Sequence, residues 1–246
     1  MKGIILAGGK GTRLYPLTKV TNKHLLPVGR EPMIFHPVRQ LVGAGIRDIL
    51  VITSTEHMGE IVRLLGSGKE LGCGLTYRVQ EDALGIADAL ALGEHFAGDG
   101  PVTVLLGDNI FTHSIQGFVA RFLNQSAGAR VLLKAVDDPS RYGVAALDEK
   151  QVIEIEEKPA SPKSPYAVVG AYCYDRQVWE IIRTLGISPR GEYEITAVNN
   201  FYIQLGRLEF DIVEGGWTDA GTFESLSEAN TMMLACENRI SGQESK

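Results

Sequence analysis

The run Leu6-Ala7-Gly8-Gly9-Lys10-Gly11-Thr12-Arg13-Leu14 sets three glycines and a guanidinium directly behind a short apolar segment. Glycines let backbone N–H groups come close to phosphate oxygens, and Arg adds a planar two-pronged donor. Together they make a polyphosphate cradle. It is not a Walker A loop, because Gly11 follows Lys10 where Ser or Thr is needed. It is not a dinucleotide fingerprint either, because Leu14 stands where the third glycine belongs. Taken alone, the segment also reads as a glycine-rich turn with a solvated Arg. Lys23, in Lys23-His24-Leu25-Leu26-Pro27, supplies a second cation. Two cations facing one phosphate chain stabilise a phosphoryl-transfer transition state.

Carboxylates follow later in the chain. Leu105-Leu106-Gly107-Asp108-Asn109 puts an acid just past a buried apolar run. Asp219, in Gly216-Trp217-Thr218-Asp219-Ala220-Gly221, is read as lying on a loop between a strand and a helix. One or two carboxylates with phosphate oxygens make a Mg²⁺ site; singly, Asp108 is equally a turn or N-cap residue. Glu156-Glu157-Lys158-Pro159 closes a strand with a group that accepts hydroxyl hydrogen bonds and one that holds a phosphate, or is a solvated edge turn. Gln80, at a strand end, has the amide needed to read the edge of a base.

These residues are positioned by a chain of 246 residues with 24 basic and 30 acidic side chains, a net charge of −6. That balance argues against a nucleic-acid partner, which would call for net positive charge. The first 30 residues hold Lys2, Lys10, Arg13, Lys19, Lys23 and Arg30 and no Asp or Glu, so the remainder carries −12. An acid-free stretch in an acidic protein suits a small anion. Cys73, Cys173 and Cys236 form no CxxC pair and read as reduced thiols of a cytoplasmic protein. No apolar run approaches the length of a membrane span or a signal-peptide core.

Strand-like runs at 3–7, 48–53, 75–80, 102–106 and 129–136 alternate with helical spacing at 32–44, 56–65, 86–96 and 115–123. Such alternation requires crossover connections and a mostly parallel sheet covered on both faces. Beyond residue 140 a hairpin (142–147 and 151–157) and a strand (166–174) precede helices at 176–184, 194–205 and 222–235. The fold expected is α/β: a Rossmann-like mixed, mostly parallel sheet with helices on both faces and a small β-rich lobe. The whole of 1–246 is read as one domain, in two parts over about 1–137 and about 138–246.

Taken together, these motifs resemble the sugar-1-phosphate nucleotidylyltransferases. The shared start is Gly3-Ile4-Ile5-Leu6-Ala7-Gly8-Gly9-x-Gly11-Thr12-Arg13-Leu14-x-Pro16-Leu17-Thr18. Asn22–Pro27, Leu106–Phe111, Asp138–Val144, Pro162–Val168 and Arg190–Thr196 point to the glucose-1-phosphate thymidylyltransferase branch. The resemblance implies transfer of a nucleotidyl group from dTTP, or UTP, to a sugar 1-phosphate, with Mg²⁺ as cofactor, the nucleotide bound by the part over about 1–137 and the sugar by the small β-rich sugar-binding lobe over about 138–246. It implies that Leu6, Gly8, Gly9, Gly11, Thr12, Arg13, Lys23, Gln80, Gly85 and Asp108 bind nucleotide. It assigns the sugar phosphate to Asn109, Tyr142, Gly143, Glu157, Lys158 and Val168, the metal to Asp108 and Asp219, and catalysis to Arg13, Lys23, Asp108 and Lys158. The partners expected are these two small substrates and, in some family members, further copies in a homo-oligomer.

The sequence departs from the branch pattern in places. His24 stands where Gln is usual, Leu84-Gly85-Ile86-Ala87-Asp88-Ala89 replaces a Gly-Leu-Ala-Gln-Ala stretch, and Thr218 and Ala220 flank the second Asp. The C-terminal extension of the longer, tetrameric members is not matched, so feedback at a second nucleotide site is not part of the expectation. A different nucleotide or sugar, or a silent subunit that senses nucleotide sugars, stays open on sequence alone.

Overall fold

The structure, a computed structural model, describes the backbone of residues 1–244 and the side chains of residues 1–238. β1 (Lys2–Ala7) leads through a small hairpin, β2 (Pro27–Val28) and β3 (Glu31–Pro32), to α1 (Phe35–Gly43), β4 (Asp48–Ser54), α2 (Met58–Leu65) and β5 (Gly74–Gln80). Then come α3 (Ile86–Ala91), α4 (Glu94–Ala97), β6 (Val102–Leu106), β7 (Asn109–Phe111), α5 (Gln116–Leu123) and β8 (Ala129–Ala135). The second half holds β9 (Gly143–Asp148), β10 (Gln151–Glu157), β11 (Tyr166–Tyr174), α6 (Val178–Thr184), α7 (Ile195–Gln204), β12 (Leu208–Ile212), β13 (Trp217–Asp219) and α8 (Phe223–Glu244).

One nine-stranded mixed sheet runs through the molecule. Strands β6, β1, β4 and β5 are parallel neighbours. Their residues alternate between two cores: Ile4, Leu6, Leu50 and Ile52 pack toward α3, α6 and α7, while Ile5, Ala7, Ile49 and Val51 pack toward α1, α2 and α5. Burial on both faces explains why these strands read as unbroken apolar runs. The β-rich part expected after residue 138 is a continuation of this sheet, in which β11 pairs antiparallel with β6, β8 and β9.

Three expectations change. The helix read over 86–96 is two short helices, α3 and α4, with Gly93 at the break. A Cβ there would lie 2.5 Å from Ile4 Cδ1, so the backbone presses onto β1 where a helical side chain has no room. Asp219 is not on a loop: it ends β13, whose three residues pair antiparallel with β7. The last helix continues past Ala235 to Glu244. Strands β7 and β13 have no counterpart in the sequence reading, and β12 is implied there only as the strand before Asp219, without bounds. Two are three residues long, and all pair with segments distant in sequence.

The strand order sends the chain from β1 to β4 on one side and returns it to β6 on the other. The crevice beyond the carboxyl ends of β1 and β6 is the switch point where such sheets bind ligands. Leu6 pairs with Leu106, and Gly107 N–H donates to the Leu6 carbonyl at 2.8 Å, so the glycine loop and Asp108 start side by side.

Candidate active site

The loop leaving β1 lines a cavity of about 320 Å³ together with Lys23, His24, Gln80, Gly85 and Asp108. Gly11 has φ of +64°, a left-handed geometry that Gly adopts at little cost, and it starts a one-turn 3₁₀ helix over Thr12–Leu14. The buried Thr18 hydroxyl donates to the Gly11 carbonyl at 2.7 Å and pins the loop. Gly11 and the exposed Thr12 shape this turn but do not line the cavity, whereas Leu6, Gly8, Gly9 and Arg13 do. Lys23 opens a further 3₁₀ turn capped by Asn22, whose side-chain oxygen accepts from His24 N–H at 2.8 Å. The same oxygen lies 2.6 Å from His24 Nδ1. Burial, reinforced by the neighbouring Lys23, pushes the His24 pKa down to about 3, so the imidazole is neutral at physiological pH.

Lys23 Nζ forms an ion pair with Asp108 Oδ2. Burial by itself would raise the Asp108 carboxyl; the Lys23 ammonium outweighs it, aided by the hydrogen bond from Asn109 Nδ2, and holds the group well below the usual carboxylate range. Asn109 is a junction. Its Nδ2 donates to Asp108 at 2.9 Å, and its Oδ1 accepts from Gly170 N–H and Trp217 Nε1, each at 2.8 Å. One buried amide therefore ties β7, β11 and β13 together behind Asp108. The β7–β13 pairing sets Asp219 opposite Asn109. Burial first, and then the nearby Asp108 charge, raise the Asp219 carboxyl. Tyr142 Oη donates to it at 3.0 Å, and Arg141 lies 3.5 Å away. Arg13 reaches the same corner: a Cβ on Gly221 would lie 2.8 Å from its Nη2.

A second cavity, of about 210 Å³, opens on the far side of Asp108. Arg13, Ile86, Leu106 and Asp108 line both spaces. Here Tyr142, Gly143, Glu157, Lys158 and Val168 come together with Asn109 and Asp219. Glu157 accepts from Thr196 Oγ1 at 2.5 Å and from Arg190 Nη1 at 3.0 Å. Gly143 leaves room for that pair, since a Cβ would sit 3.1 Å from Thr196 Oγ1. Lys158 has φ of +44°, which is rare for a residue with a side chain, and its N–H donates to the Tyr142 carbonyl at 2.9 Å. Such local strain gathers at sites of function.

Every site residue expected from the sequence lines one of the two cavities, except Gly11 and Thr12. Sequence reasoning missed Arg141, Tyr172, Thr196 and Asn199 in the second cavity. Arg190 and Thr196 lie within a motif noted for its resemblance alone. Tyr172 and Asn199 are almost wholly buried, and the sequence reading assigns them no role.

The nucleotidyl transferase family model matches residues 2–235 of this chain. The chain belongs to the nucleotidyl transferase family. The glucose-1-phosphate thymidylyltransferase of Neisseria gonorrhoeae is 46% identical over 97% of this chain and 84% of its own length. The enzyme of that name from Mycobacterium tuberculosis H37Rv is 44% identical over the same shares. A solved Bacillus anthracis structure described as a glucose-1-phosphate thymidylyltransferase, in complex with a sucrose, is 56% identical. It superposes with a TM-score of 0.92 over 95% of each chain. A UDP-glucose pyrophosphorylase complexed with UDP-glucose, 24% identical, shares the fold with a TM-score of 0.84 over 95% of this chain and 98% of its own.

The nucleotidyltransferase is thus an enzyme of a family that uses a divalent metal. Among the described residues no three His, Cys, Asp or Glu side chains gather to cage an ion. Two carboxylates lining one cavity, Asp219 at the end of β13 and Asp108 just before its partner β7, suit a hard cation that takes its remaining ligands from phosphate and water. No helix of the described residues is long and apolar enough to cross a membrane.

Proposed function

We propose that this nucleotidyltransferase moves a thymidylyl group from dTTP to glucose 1-phosphate, releasing dTDP-glucose and pyrophosphate, with Mg²⁺ as its metal. One observation carries the reading: a glycine-walled cavity and a polar, side-chain-walled cavity meet at Arg13 and Asp108. The names of relatives at 44–46% identity support the choice of substrates. Three free thiols, Cys73, Cys173 and Cys236, support a reducing, cytoplasmic setting.

In this reading the Gly8–Gly9 backbone, Arg13 and Lys23 receive the triphosphate. Gln80 and Gly85 face the base. Gly143, Glu157 and Val168 surround the sugar, with Thr196 and Arg190 holding the Glu157 carboxylate in place. Lys158 takes the sugar phosphate, and Tyr142 and Asn109 orient Asp219 and Asp108. An oxygen of the sugar 1-phosphate attacks the α-phosphorus, and the bond to the bridging oxygen of the β-phosphate breaks as pyrophosphate leaves. No general base is required, since a phosphate monoester with a second pKa near 6 is already ionised. The protein's task is to align two polyanions against their repulsion. Asp108 and Asp219 would hold Mg²⁺, whose charge offsets that of the phosphates.

The test is a matrix of nucleoside triphosphates against sugar 1-phosphates with Mg²⁺, scored by pyrophosphate release. The fastest pair is expected to be dTTP with glucose 1-phosphate. A faster UTP pair, or a faster sugar, would overturn the substrates, and silence throughout would favour a sensing subunit.

A further inference from the structure

Gln80 closes β5 with its side chain almost wholly buried at the wall of the nucleotide cavity. An amide presents either an acceptor or a donor to a ligand, depending on which way it is turned. Here the neighbours decide. Nε2 lies 2.7 Å from Asp88 Oδ2 and 3.3 Å from the Gly85 carbonyl. A carboxylate and a carbonyl only accept, so both amide hydrogens are committed to them. The opposite rotamer would press Oε1 against two acceptors. Oε1 instead lies where Gly8 has no side chain, 3.0 Å from the position a Cβ would take. Among the described residues no donor reaches Oε1, and none of the hydrogen bonds uses the Gly85 N–H.

We propose that Asp88 is a specificity-determining positioning residue: it locks the Gln80 amide with its oxygen toward the cavity, and so selects a pyrimidine carrying an N3–H over cytosine. This rests on the nucleotide reading above. Thymine and uracil present an N3–H donor beside carbonyl acceptors, which match an Oε1 acceptor beside the Gly85 N–H. Cytosine presents a bare N3 beside an amino donor, the reverse pattern. A polar site left unmatched in this way rejects the wrong ligand by factors of about 10⁴ to 10⁵ when the mismatch is complete. Asp88 also lies in the first turn of α3, where a carboxylate favours the helix. That role would affect stability but not the choice of base.

The experiment compares kcat/KM for dTTP and dCTP, at saturating glucose 1-phosphate, in the wild type and in Asp88→Asn and Asp88→Glu. Asn can accept from or donate to Gln80, so the amide is free to turn, while Glu keeps an obligate acceptor. Asp88→Asn is expected to lower the dTTP-to-dCTP ratio about tenfold or more, as loss of a charge-assisted hydrogen bond would. KM for glucose 1-phosphate should stay unchanged, and Asp88→Glu should stay close to the wild-type ratio. If Asp88→Asn is too unstable to assay, Asp88→Ala carries the same expectation. An unchanged ratio in an active Asp88→Asn enzyme, beside a wild type that prefers dTTP, would overturn the role of Asp88 alone. An equal fall in the Asn and Glu variants would also overturn it. A wild type that prefers dCTP would overturn both this role and the base reading beneath it.

Discussion

On the side of Asp108 proposed for the nucleotide, most residues facing the cavity come from two stretches of chain, Leu6 to His24 and Gln80 to Ala89, and three of them are glycines. On the sugar side the wall is assembled from β7, β9, β10, β11, α7 and β13, and nearly every group facing inward is a side chain. The first arrangement suits a polyanion, whose phosphates are alike and need many N–H donors and cations. The second suits a ring of hydroxyls, each of which needs its own partner. Phosphate recognition is thus compact in sequence, and recognition of hydroxyls is spread across the fold. Asp108 and Arg13 belong to both sides.

Removing a shared residue should have the largest effect. Asp108→Ala is expected to lower pyrophosphate release at least 10³-fold, about 4 kcal/mol of transition-state stabilisation, with a native circular-dichroism spectrum. Comparable loss of both substrates would mark Asp108 as common to the two cavities; loss of one alone would separate them. Next, Lys158→Met is expected to lower kcat/KM for glucose 1-phosphate by roughly 10²-fold, about 3 kcal/mol, while the dTTP dissociation constant from calorimetry stays put. Weakened dTTP binding in that variant would show that the two sides do not act independently.

A smaller effect distinguishes the nucleotide side by its response to acid. The unfolded chain takes up a proton at His24 near pH 6.5, which the folded chain refuses until about 3. Stability from this group is therefore complete above pH 6.5 and drains away as the pH falls toward 3. Between pH 7 and pH 5 the loss is about 2 kcal/mol. Urea unfolding at the two pH values should show that loss in the wild type, and His24→Gln should remove most of it. The smallest change expected is on the sugar side. Thr196→Val deletes the hydroxyl that donates to Glu157 and should raise KM for glucose 1-phosphate about fivefold, near 1 kcal/mol, with kcat for saturating sugar barely altered.

The same contrast governs what could be read from the sequence. The glycine loop, Lys23 and the acid after β6 were legible because each is contiguous or follows directly from a buried strand. Lys158 and Glu157 were legible because Pro159 ends their strand. Thr196 and Asn199 were not, since α7 shows only an apolar helical spacing and their reach to Glu157 and Tyr174 depends on a turn of chain far away. The place of Asp219 was misread because β13 is three residues long and exists only through pairing with β7. Asn109 was read as a sugar contact, yet much of its amide's hydrogen-bonding capacity goes to Asp108, Gly170 and Trp217. Its position in the wall was visible in the sequence, but its bracing role was not.

The two cavities are proposed to hold the two substrates of one displacement at the α-phosphorus. The direct measurement uses dTTP radiolabelled at the α-phosphorus, with unlabelled glucose 1-phosphate, and follows the label by chromatography. All of it is expected in dTDP-glucose, matched mole for mole by unlabelled pyrophosphate. Label in pyrophosphate or inorganic phosphate, or no labelled nucleotide sugar, would contradict the account.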